Sequence, residues 1–355
     1  MSGKILSLGL AAALLPSSGL GFNITLDFTY DDFFSNPANP YGSTGQAALQ
    51  AAADEISSVL GNSLSAITTD LVSGSSGGGV AQVLTTYNLV DPRDGVSTIQ
   101  RSPAGIGTDE IVIYVGARSM GAFTFAEASP GSPSVQIGLN SNANWPAALD
   151  NAEAVMNTMY GRGMTPLQRV ANTLTHAEQT SSYELNFGPV MGSMWFNDSP
   201  ADISDGRESW EVNNDYWHFD HTTPVGTGKL DIYSIALHEI IHVLGYGTGD
   251  NWNDFVSGMD WTGPEAIALL GTGEDTLHED GYHIESGLES PGYQDGIMRQ
   301  TVMNRSPLVG QRDQLTLLDL AFLKDSGYEI AVIPEPSTAS LIALLGLTGT
   351  FFRRR

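Results

Sequence analysis

Apolar and polar residues alternate along Asn23-Ile24-Thr25-Leu26-Asp27-Phe28-Thr29-Tyr30, which predicts a first strand with one buried face. The alanine-rich stretch from Thr44 to Leu60 then reads as a long helix. The apolar run Glu110 to Gly116 predicts a buried strand, Ser134 to Leu139 a second, and Met191 to Asn197 a later one. Residues 165–176 read as helical, whereas the glycine-rich stretches Ser73 to Gly79 and Gly116 to Ser132 read as loops. Near residue 231 the period changes to that of a helix, with Asp231 as N-cap and Ile235, His238, Ile241 and His242 on one side. A last helix is predicted where Thr316 caps Leu317, Leu320, Ala321 and Lys324 at helical spacing. The pattern is mixed α+β, without repeats or an internal linker. Residues 22–332 suffice for one large domain, or a domain with a substantial insertion.

The chemistry concentrates on the helix beginning at Asp231. In His238-Glu239-Ile240-Ile241-His242 the two histidines stand at i and i+4, so both imidazoles reach one cation, and Glu239 projects beside them toward a water at that cation. By chance such a string occurs in on the order of one chain of this length in a hundred, so its place on a capped apolar helix carries weight. Gly245 and Gly247 stop the helix and let the chain swing beneath the site. Two imidazoles alone bind zinc weakly, and a third protein ligand is required. The candidates are, in order, His283, His278 and Asp250.

These residues resemble the metzincin zinc-peptidase pattern His-Glu-x-x-His-x-x-Gly-x-x-His, with Thr248 at the last position. Leishmanolysin-like metzincins place an insertion between the glycine and the third histidine, and Thr248 to His283 looks like such an insertion. Gln300 to Pro307 resembles the family's Met-turn, with Met303 as its methionine and Met298 as competitor; residues 314–328 resemble the closing helix. The resemblance implies a zincin fold: a twisted, mostly parallel sheet with an edge strand over the cleft, an active-site helix, the Met-turn and a C-terminal helix. It further implies a monomeric zinc endopeptidase acting on polypeptides bound as an added strand. His238, His242 and His283 would hold Zn²⁺ and Glu239 would be the general base. The alternative is a non-catalytic zinc-binding surface or matrix protein of the same fold, which Thr248 would make natural.

The chain ends bear on location. Lys4, the apolar run Ile5 to Leu15 and the small residues to Gly21 have the layout of a secretory signal over residues 1–21, implying signal peptidase processing. Pro334-Glu335-Pro336, an apolar segment to Phe352 and Arg353-Arg354-Arg355 resemble the PEP-CTERM sorting tail of Gram-negative bacteria over 333–355. Ser337 to Phe352 gives about 24 Å of helix at about 1.5 Å per residue, short for a permanent span. The expectation is transient anchoring, exosortase-type cleavage and an outer-surface or extracellular-matrix location. The chain has no cysteine, which removes disulfides and thiolate ligands. The net charge of −25 argues against nucleic acid or anionic lipid as partner. Calcium at Asp198, Asp202 and Asp205, or at Asp250 and Asp254, is the weaker cofactor expectation, because the spacing matches no calcium loop. His218 and His221, three apart among aromatics, more readily pack a surface loop than bind a second metal.

Overall fold

The structure is a computed structural model that describes residues 22–121, 124–198 and 216–331. The expected signal segment, the sorting tail with Pro334, Glu335 and Pro336, and Asp202 and Asp205 lie outside these residues. Sixteen strands occur among them: β1 Asn23–Asp27, β2 Leu71–Ser76, β3 Gly79–Val90, β4 Thr98–Arg101, β5 Glu110–Arg118, β6 Ala126–Pro130, β7 Ser132–Leu139, β8 Gln168–His176, β9 Gln179–Phe187, β10 Met191–Asn197, β11 Trp217–His218, β12 Leu230–Asp231, β13 Val256–Ser257, β14 Asp260–Trp261, β15 Glu289–Pro291 and β16 Met298–Gln300. The helices are α1 Gly42–Val59, α2 Trp145–Gly161, α3 Ile232–Val243, α4 Asp250–Asn253, α5 Pro264–Leu270 and α6 Leu317–Asp325. The chain is therefore α+β. Among the described residues, no helix is long and apolar enough to cross a membrane.

The sheet that positions the site has the order β1-β5-β10-β6. β1 and β10 flank β5 in parallel, and β6 closes one edge antiparallel to β10, with Trp195 opposite Glu127. β5 is apolar on both faces because both are covered. Ile111, Ile113 and Val115 belong to one core with α1, α3 and α6, while Val112 and Tyr114 pack against a second. The second core lies between α2, the β8–β9 hairpin and the sheet formed by β2, β3, β4 and β7.

Three predicted elements are corrected. Residues 168–176 form strand β8, which pairs with β9 through a tight turn where Ala177 and Glu178 both have positive φ. Its β-branched Val170, Thr173 and Thr175 favour the strand, and tertiary pairing decides the ambiguity. Ser73 to Gly79 is a hairpin rather than a loop: β2 and β3 pair through the turn Gly77-Gly78. Gly116 to Ser132 contains the end of β5 and all of β6, whose small residues Ala126, Ala128 and Ser129 hid the strand.

Arg162 ties the two cores together. Following α2 in a left-handed conformation, its fully buried guanidinium donates to the carbonyls of Ser65, Glu110, Pro189 and Gly107 at 2.7–2.9 Å. Burial pulls its pKa down to about 10, which leaves it charged at neutral pH. Arg162→Ala removes these donors from their carbonyls and is expected to cost about 3–5 kcal/mol, read as a fall in the urea midpoint.

Candidate metal centre

α3 forms where Asp231 accepts from the Ser234 backbone N–H and is itself paired with Arg312 at 2.8 Å. The helix is buried almost all round, so packing rather than a solvent face fixes its rotation. It crosses beside β6 and β10, and α1 covers it from behind. At its end Gly245 has φ +100° and Gly247 φ +71°. A Cβ at the first would lie 2.1 Å from Leu167 Cδ1, and at the second 2.6 Å from the Tyr282 carbonyl oxygen. Glycine is thus required twice, and the turn delivers the Tyr246 carbonyl to His242 Nδ1 at 2.7 Å.

The chain then runs through α4, the β13–β14 pair and α5 before returning at His283. The Nε2 atoms of His238, His242 and His283 form a triangle with edges of 3.1, 3.2 and 3.4 Å. Three nitrogens of a tetrahedral zinc at about 2.0–2.1 Å stand about 3.3 Å apart, close to this spacing. Every Nδ1 faces an acceptor: Val302 O at 2.8 Å for His238, Tyr246 O for His242, and Asp280 Oδ2 at 2.9 Å for His283. Each Nδ1 must therefore carry the proton, which turns three Nε2 lone pairs on one another. Such an arrangement is repulsive unless a cation lies between them.

The electrostatics fit the same group. Burial, with the neighbouring imidazole second, pulls His238 down to about 3 and His242 and His283 to about 4, so all three are neutral ligands at pH 7. Burial, with Glu127 second, pushes Glu239 up to about 8, and its Oε2 is buried without a hydrogen-bond partner. A divalent cation among the imidazoles supplies the positive charge that would hold this carboxyl ionised. Asp280 is opposed by burial, but the Tyr282 N–H and His283 outweigh it and hold the carboxyl at about 2. All four site residues line a cleft of about 790 Å³, walled on the far side by Phe125 to Ala128 and Trp195. Compared with protein-family models, curated proteins and solved structures, the chain matches none.

The other candidates lie elsewhere. Asp250 accepts the Arg169 backbone N–H and Asp254 pairs with the Arg169 guanidinium, and neither joins the three imidazoles. His278 faces Asp280 and is outside the triangle. His218 is bonded to Thr223 and His221 stacks on Tyr233, so neither joins a metal-ligating group among the described residues. Met303 is fully buried in the core; its amide is held by Asp319 and its carbonyl accepts the Ile284 N–H. Met298 is over half exposed.

Sequence reasoning missed Asp280, although a carboxylate three residues before His283 in a turn was a readable signal, and it missed Glu127, hidden in the supposed loop. Asp280→Asn weakens the acceptor that orients His283 and is expected to lower zinc affinity by about 10- to 100-fold, measured by competition with a chromophoric chelator. His278→Ala should leave that affinity within about twofold.

Proposed function

We propose that this chain is a zinc-dependent endopeptidase of the metzincin type. The observation that carries the reading is the convergence of three imidazoles, each with an acceptor at Nδ1, beside the buried and unpartnered Oε2 of Glu239, on the floor of a cleft bounded by an antiparallel edge strand. The all-nitrogen donor set and its spacing suit zinc. When bound, zinc lowers the pKa of a coordinated water toward neutrality and polarises the scissile carbonyl.

The chain's own groups supply the rest. Asp280, Val302 O and Tyr246 O hold the imidazoles in the ligating tautomer. Glu239 takes the proton of the attacking water and returns it to the leaving amine. β6 ends the sheet, so its outer edge has no strand partner in that sheet, and an extended polypeptide can add there beside the metal. Met303 acts as support: the carbonyl of its neighbour Val302 faces His238 Nδ1, and its own carbonyl accepts the N–H of Ile284, the residue after His283. The chain ends, by their sequence alone, support export with transient anchoring and later release at the cell exterior.

Zinc content and casein hydrolysis measured side by side test the reading. Wild type should carry one zinc per chain and cleave; Glu239→Gln should keep the zinc and lose hydrolysis by about three orders of magnitude or more; His283→Ala should lose both. An active glutamine variant would refute the mechanism, and wild type that holds zinc but cleaves nothing would indicate a binding protein instead.

A further inference from the structure

The cleft continues past the imidazoles toward the start of α3, where Ser234 and Ile235 line it together with Asn304 to Pro307 and Asp313. The Asp313 backbone N–H donates to Ser234 Oγ at 2.7 Å, and Ser234 Oγ donates in turn to Asp231 at 2.7 Å. Ser234 precedes His238 by one helical turn. Asp313 is therefore anchored about 6 Å along the helix axis from the first zinc ligand.

The cations around Asp313 are committed to other partners. Arg312 is paired with Asp231 at 2.8 Å and Arg299 with Asp295 at 2.7 Å. Arg305, the arginine among the lining residues, is largely exposed at the rim and faces Asp280 at 3.7 Å. Asp313 itself forms no ion pair with the described residues. Burial, with repulsion from Asp231 and Asp319, pushes its carboxyl up to about 7, and the Leu308 backbone and Arg299 only partly oppose the rise. A carboxyl in that position is short of positive charge, and Asp313 is among the residues that line the cleft.

We propose that Asp313 makes the cleft selective for polypeptides with a lysine or arginine next to the scissile bond. The inference rests on the peptidase reading and names its substrate class. The side chain lays its aliphatic stem along Ile235 and Pro307 and brings its charge to Asp313, away from bulk water. A glutamate in the same place meets the carboxyl of Asp313, and a leucine leaves that half-buried carboxyl without a counter-charge.

Peptides differing only in Lys, Leu or Glu on either side of the scissile bond test this on the zinc-loaded full chain. Calorimetric titration of Glu239→Gln gives affinity without turnover, and wild type gives kcat/KM. Lysine peptides should bind and react about 10- to 100-fold better than leucine peptides. Asp313→Asn keeps the size and polarity of the side chain without its charge and should erase the lysine-to-leucine ratio, while Asp313→Lys should turn the preference toward glutamate. Equal handling of lysine and leucine by the wild type, or a lysine preference that survives in Asp313→Asn, overturns the role of Asp313 although peptides are still cleaved. Absence of zinc-dependent cleavage and of binding for every peptide sinks the peptidase reading, and this inference with it.

Discussion

The carboxylate of Asp319 is the constraint on which the candidate metal centre depends. Fully buried in α6, it accepts the Thr316 N–H and hydroxyl at 2.9 and 2.8 Å, closing a capping box, and the Val302 and Met303 N–H groups at 3.2 and 3.3 Å. Burial raises its pKa, and these donors oppose the rise. A buried acceptor of this kind is stable only while its donors remain, so the helix cap and the Met303 turn stand or fall together. From that turn Val302 O fixes His238, and Met303 O fixes Ile284 beside His283. One side chain from the last helix thereby sets two of the three imidazoles.

How much of this was legible in the sequence depends on distance along the chain. The capped helix bearing His238, Glu239 and His242 was readable because i,i+4 spacing is local, and Asp231 and Thr316 cap where a local rule places them. His283 was only the first of three alternatives, because no local rule reaches across a separation of 41 residues; that Asp250 lies apart from the imidazoles, against the Arg169 backbone, is settled only by folding. The β8 segment failed for a related reason. Its pattern of short apolar positions suits either period, and pairing with β9 settled it.

β6 shows a different limit. Its sequence, Ala126-Glu127-Ala128-Ser129-Pro130, lacks the bulky β-branched residues that mark a strand, and pairing with β10 rather than its own pattern makes it one. Glu127 is fixed there by Trp195 Nε1 at 3.1 Å and Arg118 at 3.3 Å, facing the buried Glu239.

The separation between His242 and His283 has a mechanical meaning as well. A metal joined to both closes a loop of about 40 residues onto α3, and the entropy removed from the unfolded chain by such closure grows with the logarithm of loop length. The chain has no cysteine with which to make that link covalently. An ion held there would thus also serve as the molecule's staple, and stripping it would loosen α4, α5 and the segment between them before it disturbed the sheet.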